Sequence, residues 1–181
     1  FRANVVRKSW LTKADRRSAG FFDASIWEDA KLHGAASIKN LIDQGIVGSS
    51  ATAVLIGSQT YARRWVRYEI CKSFQKGNTL IGININGIKG KDGLTKYKGP
   101  NPFDYIGVEI SSCGTKVEAL TEYDINNSKW IYYEDLKVSY RLSGSPMAMN
   151  HRGKNVSLST FYKSYDWILD DGYNNFSSWI N

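Results

Sequence analysis

Apolar and polar positions along this 181-residue chain follow two alternating periods, and the switches between them mark the elements. Val5, Val6 and Trp10 recur among Arg7 and Lys8, which predicts an amphipathic helix from Asn4 to Leu11. Gly20-Phe21-Phe22-Asp23-Ala24 is short, aromatic and bounded by Gly and Asp, as a buried strand is. Ile38, Leu41 and Ile42 then fall at helical spacing between Ala35 and Gln44, with Gly45 at the expected exit. Thr52 to Ile56 is a continuous apolar run of the kind a parallel strand covered on both faces requires. Arg63 to Lys76 returns to a helical stripe of Trp65, Val66, Ile70 and Phe74, stopped by Gly77, and Thr79 to Ile85 reads as a further buried strand.

Beyond Ile85 the pattern loosens. Gly87, Gly90, Gly93, Gly99 and Pro100, interspersed with Lys89, Lys91, Lys96 and Lys98, predict an exposed loop from Asn86 to Tyr105. Tyr105 to Ile110 follows, then Ala119 to Asp124 and Lys129 to Tyr133, the last two joined through Asn126-Asn127-Ser128 as a hairpin. Gly144 to Lys154 reads as another loop. Phe161, Tyr165, Ile168 and Leu169 share one helical face, which predicts a helix from Ser159 to Leu169 ahead of an aromatic tail, Tyr173 to Trp179. The aromatic side chains of Tyr162, Tyr165, Trp167, Tyr173, Phe176 and Trp179 are expected to pack this helix onto the sheet or to serve a partner contact. Alternating strand and helix patterns argue for an α/β fold with a doubly wound, mostly parallel sheet, and the absence of repeats or a low-complexity linker argues for one domain over 1–181.

Composition narrows the function classes. A hydrophobic fraction of 42% fills one core in a chain of this size. No run approaches the roughly 18 apolar residues of a membrane span, and Phe1-Arg2-Ala3-Asn4 does not open a secretory signal, so a soluble cytoplasmic protein is expected. The formal charge of +7 is spread along the chain without a basic block, which argues for a solvated surface over a nucleic-acid groove and is compatible with a small phosphate-bearing ligand. Cys71 and Cys113 are the only cysteines and fit a reduced setting; His33 and His151 stand too far apart for a zinc site, so no metal is assigned and both histidines are read as surface residues.

Open α/β sheets bind ligands beyond the carboxyl ends of their strands. The segment leaving Thr52–Ile56 is therefore the place to search. Ser58 and Thr60 are candidate N-caps there, and free backbone N–H groups at a helix start favour an anion. Tyr61, Trp65 and Glu69 stand at i, i+4 and i+8, which on a continuous helix sets them on one face. On spacing alone the plainer reading is that Glu69 pairs with Arg67 or Arg64 on a solvated surface.

Trp65-Val66-Arg67-Tyr68-Glu69-Ile70, after a buried strand and a Ser-x-x-Tyr opening, resembles the third helix of Toll/interleukin-1-receptor (TIR) domains. Together with Asn4-Val5-Val6-Arg7, Phe22-Asp23-Ala24-Ser25, Val54-Leu55-Ile56-Gly57 and Gly99-Pro100-Asn101-Pro102-Phe103-Asp104, it is similar to the TIR-like subunit of the bacterial Thoeris antiphage defence system. The resemblance implies a flavodoxin-like core over 1–110, with a hairpin and helix extension over 111–181. It also implies a strand that would precede Phe1 in the natural protein. For activity it implies cleavage of NAD at the nicotinamide–ribose bond, with no cofactor beyond NAD as substrate, to give a cyclic ADP-ribose-type signal for a separate effector. Glu69 would be catalytic, Trp65 and Tyr61 would shape the pocket, and Ser58 would help to bind the nucleotide. Arg64, and less so Arg63, could meet the pyrophosphate, while Asp23, Ser25 and Trp27 would lie on the loop that borders the pocket and governs self-association. A phage-derived trigger belongs to the same picture. The alternative is a non-catalytic TIR-like module that senses or scaffolds by self-association.

Overall fold

A computed structural model describes residues 1–11, 30–142 and 145–180. Its framework is a parallel sheet in the order β1-β2-β8, formed by β1 (Ala51–Ile56), β2 (Thr79–Asn84) and β8 (Ser164–Asp166). The register runs from Ala51 opposite Thr79 to Ile56 opposite Asn84, and from Gly82 opposite Ser164 to Asn84 opposite Asp166. β2, with Leu80, Ile81 and Ile83 all buried, is the central strand, which is why its sequence is apolar without alternation.

Helices cover both faces. Helices α2 (Ala35–Ile46) and α3 (Arg64–Lys76) set Ile38, Ile42, Ile70 and Cys71 in one core with Val54, Ile56 and Leu80. Helices α1 (Arg2–Leu11) and α4 (Gly172–Trp179) set Val6 and Phe176 in another with Ile81 and Ile83. α3 closes with Gly77 at φ 83°: the Gly77 N–H bonds Phe74 O at 3.0 Å and the Asn78 N–H bonds Ser73 O at 3.0 Å, a left-handed closure that glycine adopts without steric cost.

Between β2 and β8 the chain builds a second, antiparallel sheet in the order β5-β4-β3-β7, from β3 (Ile106–Ile110), β4 (Lys116–Asp124), β5 (Lys129–Tyr132) and β7 (Asn155–Ser157), with β6 (Tyr140–Arg141) also pairing β4. Ile106, Val108, Ile110 and Leu120 share the core of Ile70 and Cys71. α3 therefore lies between the two sheets, with Phe74 meeting Tyr140 at 6.2 Å between ring centres. The expected alternation and the β4–β5 hairpin are present, whereas the loop after β2, expected to be exposed throughout, is continuously exposed over 91–98 only: Ile88 and Phe103 pack into the two cores, and Pro102–Tyr105 is a 3₁₀ turn.

Two of the expected elements differ. α2 continues past Gly45 to Ile46, whose side chain is buried and holds the last turn down. The helix expected over Ser159 to Leu169 is instead a 3₁₀ turn (Leu158–Thr160), the strand β8 and a turn, with the helix displaced to Gly172–Trp179. The physical reason is long-range: the Gly82 N–H bonds Lys163 O and the Trp167 N–H bonds Asn84 O, so the strand is drawn out by β2. The Asp166 carboxylate turns the chain by accepting from the Ile168 and Leu169 N–H groups. Ile168 and Leu169 are exposed, so the apparent apolar face is not a core face. The aromatic packing survives the shift, since Trp179 stacks on Tyr165 at 4.2 Å and Phe176 meets Trp167 at 6.1 Å. Tyr162 belongs to the other core, against Phe74 and Phe103, and Tyr173 is exposed. The strand expected over Gly20 to Ala24 lies outside the described residues. No helix among the described residues is long and apolar enough to cross a membrane.

Candidate functional site

The loop from Gly57 to Arg63 carries the chain from the carboxyl end of β1 into α3. Ser58 and Thr60 do not cap the helix: its N-cap is Arg63, with extended backbone and no side-chain cap bond, because Thr60 is engaged one step earlier. The Thr60 hydroxyl accepts from the Gly57 N–H at 2.9 Å and donates to Leu55 O at 3.3 Å, which folds the loop back on the strand end. Thr60–Ala62 is a 3₁₀ turn, so Tyr61 sits off the helix rather than on a common face with Trp65 and Glu69. Its carbonyl accepts from Arg67 Nε at 2.9 Å, and its ring lies 4.9 Å from that of Tyr105. Ser58 is exposed at the turn.

Trp65 and Glu69 do share a side of α3, one turn apart, and Ser73 continues that side. Ser73 Oγ accepts from Thr52 Oγ1 of β1 at 2.9 Å, so this is the side turned toward β1, well round the helix from Arg67. Trp65 is half-buried against the main core, edge-on to Tyr68 at 6.2 Å, with the Arg64 guanidinium 4.8 Å from its ring centre. The Glu69 carboxyl is half-buried and has no hydrogen bond or ion pair with any described residue. Desolvation therefore acts on it unopposed and pushes its pKa up to about 7. This is an unpaired acid poised to titrate near neutrality, a setting that clusters at reactive sites.

The arginines answer to other partners. Arg64 forms a two-pronged bond with Asp135, Nε at 2.7 Å and Nη2 at 2.6 Å, and Lys39 reaches the same carboxylate at 2.9 Å. The Arg64 guanidinium and then Lys39 hold the Asp135 carboxyl down at about 2. Arg67 Nη1 donates to Glu122 of β4. The expected pairing of Glu69 with Arg64 or Arg67 is thus corrected: both guanidiniums turn toward the antiparallel sheet and the segment after β5. Arg63 is exposed at the N-cap.

Two clefts flank these pairs. One of about 390 Å³ lies among Ala62, Arg64, Arg67, Glu122, Tyr133 and Asp135; the other, of about 700 Å³, lies among Glu118, Leu120, Tyr132, Tyr133, Leu136 and Val138. Glu69 lines neither, being on the β1 side of the helix. Asp23, Ser25 and Trp27, expected beside it, lie outside the described residues. The structure thus brings Glu69 and Trp65 together, sets Tyr61 and Ser58 in the loop above, and engages Arg64 elsewhere. Among the described residues no cluster of three or more His, Cys, Asp or Glu side chains could hold a metal ion.

The partners of the loop and the helix, Glu122, Asp135, Gly99 and Tyr105, do not follow from local spacing. For the two acids the chain gives no signal, since the pairs span 55 and 71 positions. Gly99 and Tyr105 carry one, in the unusual density of Gly and Pro just ahead of a buried Phe.

Comparison with known proteins follows the same lines. A family model described as "Thoeris protein ThsB, TIR-like domain" matches residues 2–89. Over 182 aligned residues the chain is 53% identical to a protein of Bacillus cereus (strain MSX-D12) named "Putative cyclic ADP-D-ribose synthase ThsB1", with 100% of this chain and 92% of that protein covered.

Proposed function

The chain belongs to the TIR-like family of Thoeris ThsB proteins, and from that premise we propose that it cleaves NAD between nicotinamide and ribose and closes the remainder into a cyclic ADP-ribose-type signal. The observation that carries this reading is the Glu69 carboxyl, desolvated and unpaired among the described residues, one helical turn after Trp65.

The chemistry asks little of the protein in acid catalysis. When the bond from C1′ to the pyridinium nitrogen breaks, nicotinamide leaves as a neutral molecule with the bonding pair, and positive charge develops on the ribose, as in glycoside cleavage. Ionised Glu69 stabilises that charge at close range in a desolvated setting, where a carboxylate acts more strongly than in water. Trp65 supports the helix surface beside it, and Tyr61 limits the entry of water. The electrophilic C1′ then takes a lone pair from a nucleophile within the same ADP-ribosyl unit, with loss of a proton, and the ring closes. The cyclic nucleotide diffuses to an effector. The protein works in the cytoplasm, self-associates to complete its site, and responds to a phage-derived trigger.

The test is mass spectrometry of the nucleotides formed from NAD by the full-length protein and by Glu69→Ala, with and without phage challenge. A cyclic product that disappears in the variant, at unchanged folding, supports the reading. Retention of the protective effect by Glu69→Ala would instead favour a scaffold acting by self-association.

A further inference from the structure

The segment from Gly99 to Tyr105 supplies no group to the chemistry above, yet it reaches the loop that leads into the Glu69 helix at two independent points. At the first, backbone lies on backbone. A Cβ on Gly99 would collide with the Gly57 carbonyl oxygen and sit 2.7 Å from the Ser58 Cα, so only glycine fits, for want of space. At the second, the Tyr105 ring backs the Tyr61 ring at 4.9 Å and is itself met by Tyr123 at 6.2 Å, which continues to Trp130 at 5.5 Å.

The segment is well anchored. Asn101 Oδ1 accepts from the Phe103 N–H at 3.1 Å, Pro102 and Phe103 are fully buried, and Phe103 meets Tyr162 at 6.1 Å. The loop it touches is not: none of residues 57–62 is buried, so these residues have no apolar anchor of their own. Their position depends on what they meet outside the loop, which is Leu55 O through the Thr60 hydroxyl and Arg67 on one side and Gly99 and Tyr105 on the other.

We propose that Gly99 and Tyr105 are positioning residues that fix the 57–62 loop and the Tyr61 ring, and that they thereby set how much of the cleaved nucleotide is cyclised and how much is lost to water. This rests on the NAD-cleaving reading above. Once nicotinamide has left with the bonding pair, C1′ takes its new pair either from within the ADP-ribosyl unit or from a water molecule, which gives up a proton and leaves linear ADP-ribose. A 57–62 loop free to move at the carboxyl end of β1 admits water and shifts the split, whereas the step that breaks the bond is left to Glu69.

Tyr105→Ala, Tyr105→Phe and Gly99→Ala in the full chain, under conditions where the wild type is active, test this. Linear and cyclic products are separated by mass spectrometry, and hydrogen exchange is followed at residues 57–63. Tyr105→Ala should raise the ratio of linear to cyclic product about fivefold, with total NAD consumption changed by less than about threefold. Tyr105→Phe keeps the ring and should match the wild type. Exchange at 57–63 should rise about tenfold in Tyr105→Ala and Gly99→Ala while β2 and β4 stay protected. A fall of both products in proportion, or unchanged exchange in the loop, overturns the proposal. A wild type that consumes no NAD would overturn the earlier reading and the product split with it, while the exchange result alone would decide whether the segment holds the loop.

Discussion

The Arg67 guanidinium on α3 donates to the Glu122 carboxylate on β4, and the same side chain holds the Tyr61 carbonyl through Nε. One arginine thus ties the helix that carries Glu69 to the antiparallel sheet and to the loop at its own start. The two side chains are only 15% and 22% exposed, so each neutralises a charge that is largely withdrawn from water.

Removal of one partner should therefore cost more than removal of both. Glu122→Ala is expected to lower unfolding stability by about 1–3 kcal/mol, because Arg67 keeps a partly buried charge without its counterpart. The double variant Arg67→Met, Glu122→Leu should recover at least half of that loss. Urea titrations of the wild type and the two variants decide it; a double variant that loses as much as Glu122→Ala, or more, would overturn the expectation.

What the sequence could tell, and what it could not, divides along contact range. β1, α3 and β2 were legible because each is written in neighbouring residues: Thr52 to Ile56 as an unbroken apolar run, Gly77 as a stop, Leu80 to Ile83 as a strand buried on both faces. β8 reads as helix in the sequence because Phe161, Tyr165, Ile168 and Leu169 fall at helical spacing, while the strand exists through bonds to Gly82 and Asn84 about eighty positions away. Glu69 and Trp65 stand one turn apart on α3 as their spacing implies, but the reading of Glu69 as catalytic comes from the resemblance to TIR domains and not from that spacing. The pairing of Arg64 and Arg67 is not legible in the sequence because their partners, Asp135 and Glu122, lie on segments whose approach to α3 only the assembled core decides.

Asp135 gives a pH-dependent contribution of known sign. Arg64 and Lys39 hold its carboxyl at about 2 in the folded chain, below the ordinary value of 3.8. A depressed acid stabilises above its unfolded value and loses that contribution as pH falls through the folded one. Asp135→Asn should therefore cost about 1 kcal/mol at pH 7, a figure reduced for the 59% exposure of the Arg64 side chain, and almost nothing near pH 2. Thermal unfolding of both proteins across that range is the measurement. A penalty that persists at pH 2 would assign the loss to packing.

Glu69 has the opposite sign. Its pKa is raised from an ordinary 4.5 to about 7 by burial without a partner, so the folded chain holds the proton where the unfolded chain has released it. Stability from this group is complete below pH 4.5 and is lost as pH rises through about 7. Glu69→Gln, which carries no charge at any of these values, should gain about 1–3 kcal/mol on the wild type between pH 5 and pH 8, with half-burial setting the lower end. Parallel pH-dependences of Tm in the two proteins would rule this out and place the carboxyl in ordinary solvent.

The same titration should appear in catalysis with the acid limb on the low side. If ionised Glu69 stabilises the developing sugar cation, kcat/KM for NAD consumption rises tenfold for each pH unit below about 7 and levels above it. Bound NAD brings a pyridinium charge to the site, which favours the carboxylate, so the limb in kcat should lie at lower pH than the limb in kcat/KM. Glu69→Gln should lose the limb altogether and about 100-fold or more in kcat, since the amide keeps the shape and removes the charge. Initial rates by nicotinamide release over pH 5 to 9 test all three statements. A limb that persists in Glu69→Gln would move the essential acid to another residue and leave Glu69 with a supporting part in the helix.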